Sequence, residues 1–180
     1  MLRVLAFLAS LLVATLPVAA EPRAVTFGGE SYAWAFQDTK PSGQLLVEFV
    51  RAGETVETWG KLVTIHRFPT VANDPKSMVR GLARMLKQDD PDLRYVIREN
   101  PETGEVMIDF PLRAPGTDVV EFNVFKYAVR ASGRGLIAFQ FAQRFRLGKV
   151  TSEDFAKVRQ ASLAEAADVD MASLDALLQD

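Results

Sequence analysis

Two periodicities run through this chain. Stretches in which apolar and polar residues alternate predict strands, and stretches in which apolar residues recur every three or four positions predict helices. Residues 21–30 read as a short lead-in, with an edge strand over 24–27. Residues 31–36 are rich in aromatics and predict a strand on which Tyr32, Trp34 and Phe36 share one parity. The turn formers of residues 38–43 lead to a second run, 44–51, in which Leu45, Val47 and Phe49 alternate, so the two runs predict a hairpin. Thr55, followed by Thr58 and Trp59, predicts a capped helix of about one to two turns. Residues 62–68, with Val63, Thr64 and Ile65, predict a strand, with a continuing helix over 60–67 as the alternative.

The clearest helical pattern follows. Asn73 or Asp74 offers an N-cap and Pro75 suits the first turn. Met78, Leu82, Met85 and Leu86 then recur at helical spacing until Asp89-Asp90-Pro91, with Lys76, Arg80, Arg84 and Lys87 between them on what should be the wet face. Strands are expected over residues 93–99, 105–112, 119–130 and 135–147, joined by short turns, which makes them an antiparallel meander. In the third of these both parities are apolar, so it should be central and covered on both sides. Thr151 or Ser152 caps a last helix, with Thr151 and Asp154 at capping-box spacing. Its apolar side is Phe155, Val158, Ala161 and Leu163. Val169-Asp170 interrupts it, and Met171, Leu174, Leu177 and Leu178 form a short amphipathic end. The expected class is α+β: a twisted antiparallel sheet, built of an N-terminal hairpin and a four-strand meander, with two main helices packed on it.

The N-terminus changes what is being folded. Met1-Leu2-Arg3 precedes an apolar run of 13 residues, 4–16, then Pro17 and Val18-Ala19-Ala20. A charged start, a short apolar stretch and small residues before a cut site define a secretory signal, and the run is too short to span a bilayer. The expectation is cleavage after Ala20, a single α+β domain over 21–168 and a short amphipathic segment over 169–180. The mature protein is then periplasmic or secreted, with no membrane span after signal removal. Loss of Arg3 leaves 20 Lys and Arg against 23 Asp and Glu, a net charge of −3. That balance argues against a nucleic-acid partner. There is no cysteine, which excludes thiol catalysis, thiolate metal sites and a lipidated N-terminus.

The run 46–50, Leu-Val-Glu-Phe-Val, leading to 54–59, Glu-Thr-Val-Glu-Thr-Trp, then the helix over 73–87 and the long meander, resembles the photosystem II extrinsic subunit PsbP and its non-photosynthetic relatives. The likeness covers most of residues 30–165 and rests on element order and Glu/Trp spacing. It implies that family's α/β/α fold and a binding or assembly role rather than catalysis, and it carries no functional residue across.

Few side chains point to chemistry. His66 is the sole histidine, and no second histidine, cysteine or Gly-x-Ser-x-Gly elbow accompanies it. Asp89, Asp90 and Asp92 lack the spacing of a calcium loop and read as a solvated turn. In the last strand Ile137, Phe139, Phe141 and Phe145 should face the core, while Gln140 and Arg144 line a polar concavity or pair across strands with Asp109 or Glu121. The candidate ligand or partner surface is therefore Tyr32, Trp34, Trp59, His66, Gln140 and Arg144. No catalytic residue, metal ligand or cofactor is assigned. The expected function is an exported, soluble, non-catalytic binding or accessory domain of the bacterial periplasm, with a protein or small molecule of unknown identity as partner. The alternatives are a carrier of a small apolar ligand and a hydrolase using Glu48, Asp109 or Glu121.

Overall fold

The structure is a computed structural model that describes residues 23–113 and 116–178. The expected signal peptide, residues 1–20, lies outside the described residues, as do residues 114 and 115 of the expected connection before the third meander strand. The described chain gives β1 (Ala24–Phe27), β2 (Glu30–Thr39), β3 (Leu45–Val50), β4 (Lys61–Phe68), α1 (Pro75–Asp89), β5 (Val96–Glu99), β6 (Val106–Arg113), β7 (Val119–Val129), β8 (Leu136–Arg146), α2 (Ser152–Asp168) and α3 (Met171–Leu177). All eight strands form one antiparallel sheet in the order β1-β2-β3-β4-β8-β7-β6-β5. Two four-strand meanders thus meet where β4 pairs with β8, Ile65 opposite Phe139. The α+β class is as expected, and residues 61–67 belong to a strand. Among the described residues no helix is long and apolar enough to cross a membrane.

Helices cover both faces of this sheet. Under α2 and α3 lies the larger core, with Val47, Phe49, Val63, Ile65, Phe122, Val124, Phe139 and Phe141 buried. Under α1 lies a second core of Ile108, Phe110, Tyr127 and Ala138 against Val79, Ala83 and Leu86. Alternation of side chains along β7 and β8 feeds the two cores from the same strands, which is why both parities of residues 119–129 are apolar.

Several local expectations are corrected. Residues 52–60 form turns rather than a helix: Gly53 has φ +82°, and the Glu54 carboxylate bonds both the Arg51 guanidinium and the Gly60 N–H, which closes the segment as a loop. The fifth strand starts at Val96, not residue 93, because Leu93 is drawn down into the α1 core. α1 buries Pro75, Val79, Ala83 and Leu86, while Met85 is 53% exposed. Its cap is Asp74, which accepts from the Ser77 N–H. Asn73 instead clasps the β7–β8 turn, donating to the Gly133 carbonyl and accepting from the Gly135 N–H, each at 2.7 Å. Gly135 has φ +77° and leaves no space for a Cβ against the Phe68 carbonyl, so glycine is required there. In α2 it is Ser162 and Ala166 that are buried, and Ala161 faces solvent. The sequence leaves open whether the C-terminal segment docks; in the structure Met171, Asp175 and Leu178 are buried, and Arg67 donates to the Leu178 carbonyl at 3.0 Å.

The expected stripe of Tyr32, Trp34 and Phe36 is broken. A β-bulge between Trp34 and Phe36 shifts the register, so Trp34 lies opposite Phe49 and Phe36 opposite Glu48. Phe49 and Glu48 belong to opposite faces, and the extra residue turns Phe36 out to 44% exposure.

Candidate functional site

The α1 helix covers only part of its face. The remainder, over β4, β8 and β7, is crossed by a line of polar side chains. His66 Nε2 bonds Gln140 Oε1 at 3.0 Å, Gln140 Nε2 donates to Asn123 Oδ1 at 3.0 Å, and Asn123 Nδ2 donates to the Glu121 carbonyl at 3.3 Å. Strand pairing places them: Thr64 opposite Gln140, and Ala142 opposite Asn123. The order of donors assigns the imidazole, since Gln140 uses its amide nitrogen on Asn123 and so presents oxygen to His66. His66 is therefore a donor through Nε2, and Nδ1 has no partner among the described residues.

Aromatic rings surround that histidine. Phe68 stacks at 6.0 Å between centroids, Phe125 lies at 5.9 Å, and Phe125 continues to Phe110 and Tyr127, both at 5.9 Å. Burial among them holds the imidazole pKa below its ordinary value, with the Gln140 bond acting in the opposite direction. The ring is thus neutral at neutral pH. Glu48, on the same face and diagonal to His66 across β3 and β4, has its carboxyl pKa raised, first by burial and then by the charge of Glu57.

The line ends in a groove. Glu121 and Arg144 are direct cross-strand partners, and the guanidinium Nε donates to Glu121 Oε1 at 2.9 Å. Arg144 Nη1 also reaches the carbonyls of Glu57 and Trp59, and its carbon lies 3.7 Å from the Trp59 ring centroid. Trp59 is itself buried against Val50, Leu62 and Ala142. The loop 52–60 is thereby fastened to the end of β8. Between this plate and the β7–β8 ends opens a groove of about 410 Å³, lined by Thr58, Trp59, Thr117, Val119, Glu121, Arg144, Phe145 and Arg146. Arg146 pairs with Asp118 at 3.1 Å, so both arginines of the groove carry acidic partners.

Four of the six expected site residues, Trp59, His66, Gln140 and Arg144, therefore lie along one path on one face. The other two do not. Tyr32 is buried on the α2 face, donating its hydroxyl to Glu30 Oε2 at 3.0 Å, and Trp34 packs edge-on against Phe49 on that side. Burial, together with Glu30, raises the Tyr32 phenol pKa well above its ordinary range. The three carboxylates weighed for catalysis are also divided. Glu48 and Glu121 share the α1 face, whereas Asp109 is on the α2 face, held between Arg98 and Arg159. Asp89 ends α1, Asp90 and Asp92 follow it, all three are exposed, and among the described residues no group of three or more His, Asp or Glu could hold a metal ion. Asn123 was missed as a member of the path. Its signal was present: an amide inside a strand covered on both faces must find a partner.

No curated protein matches this chain. A protein-family model matches residues 19–176, a span that takes in every described strand and nearly all of the helices. The chain belongs to that family.

Proposed function

We propose that the protein is an exported, non-catalytic binding or accessory domain that engages its ligand or partner at the Trp59–Arg144 groove. The carrying observation is how the groove's polar groups are used. Arg144 is tied to Glu121 and to two loop carbonyls and lies flat on Trp59, and Arg146 is tied to Asp118. Such a surface offers aromatic and guanidinium contact area in a fixed geometry, the composition favoured at recognition sites. Among the described residues its lining holds no serine, cysteine, lysine or histidine. Export draws support from the N-terminal pattern and from the family match opening at Ala19, two residues before the expected mature start. The likeness to PsbP and its relatives draws support from helices on both faces of a largely sequential antiparallel sheet.

The test is capture from native envelope extract with wild-type protein and Arg144→Ala as baits, followed by identification of what is retained. A species held by wild type and lost by the variant supports the reading. Equal retention by both baits removes the groove from the function, and chemical turnover of the retained species overturns the non-catalytic assignment. Mass spectrometry of the cellular protein checks export separately: a mature N-terminus at Met1 sinks it.

A further inference from the structure

A second concave surface lies elsewhere, on the flank of α1 that faces β5. Lys76, Arg80, Arg84 and Lys87 occupy that flank, spaced one turn apart. Between them and the strand is an open groove of about 240 Å³ lined by Arg80, Ala83, Arg84, Lys87, Tyr95 and Ile97. No acid lines it. Lys76 is neutralised by Glu99 at 2.7 Å, and Lys87 donates to the Pro91 carbonyl. Arg80 and Arg84 make no hydrogen bond or ion pair with any described residue. Arg80 acts only as a weak influence on the Asp74 carboxylate.

That arrangement departs from six other arginines of the molecule. The described guanidiniums of Arg51, Arg98, Arg130, Arg144, Arg146 and Arg159 each meet a carboxylate. Like charges one turn apart on a helix disfavour it, so two bare arginines gathered with a lysine over one hollow cost stability unless an anion joins them. The chain as a whole carries a net charge of −2, so the hollow is a local feature and not part of a basic surface.

We infer that this groove is an anion site for a phosphate-type group, a phosphate monoester or diester. Guanidinium forks match phosphate oxygens two at a time, and Lys87 adds a point charge. Tyr95 and Ile97 supply an apolar wall for the organic part of the ligand. The volume suits a headgroup-sized molecule rather than a larger one. A soluble phosphorylated compound and an anionic lipid headgroup share this chemistry. The inference stands apart from the Trp59–Arg144 groove and does not depend on it.

The experiment uses the protein as isolated from cells, with two probes. Inorganic pyrophosphate is titrated calorimetrically, and vesicles of phosphatidylglycerol with phosphatidylcholine are compared with phosphatidylcholine alone by co-sedimentation. The variants are Arg80→Ala/Arg84→Ala and, as a charge-matched control, Arg134→Ala/Lys149→Ala, two cations equally exposed and equally without a partner among the described residues. Wild type and control should bind alike, and the α1 variant should bind about tenfold or more weakly, with a ligand-free thermal midpoint no lower than that of wild type. Pyrophosphate binding without vesicle capture assigns a soluble ligand, and arginine-dependent capture of phosphatidylglycerol vesicles assigns a lipid headgroup; either supports the site. Absence of arginine-dependent binding to both probes, or an equal loss in the control variant, overturns it.

Discussion

The two faces of this sheet use charged and polar side chains in opposite ways. On the α2 face several of them are buried and tied to a helix. Lys126 sends its ammonium to the carbonyls of Ala167 and Val169, at 2.8 and 2.9 Å, and so caps the C-terminus of α2. Asp109 joins Arg159 of α2 to Arg98 of β5, and Asp175 of α3, fully buried, meets Arg130 at 2.9 Å. On the α1 face polar groups run in series from His66 to Arg144 and end at solvent. A buried polar group needs a partner in either case. What differs is whether the last partner is a packed helix, which makes the group a lock, or an open groove, which leaves it available for recognition.

Asp109→Ala should break the first pattern with the largest effect. It leaves two guanidiniums without their shared carboxylate, and removing one partner of a buried pair costs about 3 kcal/mol. Both arginines are a third or more exposed and can regain water, so the loss should not exceed that figure. A urea midpoint shift converted with an unchanged m-value measures it. A loss below about 0.5 kcal/mol would show that α2 is held by apolar packing alone.

Arg144→Ala should cost less, about 1 kcal/mol. Its ion pair is part-exposed, where such pairs contribute little, and its contact with Trp59 adds a modest cation–π term. In a Trp34→Phe background, where Trp59 is the only tryptophan, the emission of Trp59 should change on this substitution. A cost equal to that of Asp109→Ala would make the groove another lock and erase the distinction between the faces.

The titration of His66 and Glu48 sharpens the comparison, because both lie on the α1 face. His66 has a folded pKa below the ordinary 6.5, so the unfolded chain takes up its proton first. Its contribution is therefore intact above pH 6.5 and is lost as pH falls through 6.5 toward the folded value. Glu48 has a folded pKa above the ordinary 4.5, so the folded protein protonates first and gains stability as pH falls toward 4.5. His66→Gln should flatten the decline in stability just below pH 6.5, and Glu48→Gln should remove the opposing gain nearer pH 4.5. Thermal midpoints across pH 4–7 read both. An unchanged profile in His66→Gln would mean that the imbalance between the folded and unfolded imidazole is absent.

Much of this was legible in the sequence where one local rule decided the outcome. Pro75 after Asp74 fixed the start of α1, and Thr151 with Asp154 fixed the start of α2. Strand parity left Arg144 with Asp109 or Glu121 as its partner, and the register of β7 on β8 selects Glu121. Other features depend on groups far apart in the chain. Arg144 and Trp59 meet only because β4 pairs with β8, a contact that no window of residues contains. The loop 52–60 resembles a helix start because Thr55 and Thr58 are good caps, yet Glu54 spends its carboxylate on closing a turn. Met85 fits the helical period of the predicted apolar face, but the face that α1 buries is set by where β6 and β7 lie beneath it.

The smallest expected loss, that of Phe36→Ala, belongs to the test of the sharpest failure of parity. Alternation alone places Tyr32, Trp34 and Phe36 on one face, and a single inserted residue moves Phe36 to the other, opposite Glu48. Trp34 remains against Phe49, with the Arg23 guanidinium 5.0 Å from its ring centroid. Trp34→Ala should therefore remove a partly buried aromatic contact and cost about 2 kcal/mol, less than a fully buried tryptophan would. Phe36→Ala removes a side chain that is already 44% exposed and should change stability by no more than about 0.5 kcal/mol. Equal losses in the two variants would mean that the stripe is continuous and that β2 runs without a bulge. Unequal losses in the expected order place the bulge at residue 35, where a strand that begins under α2 turns one aromatic ring toward the face that carries the His66 path.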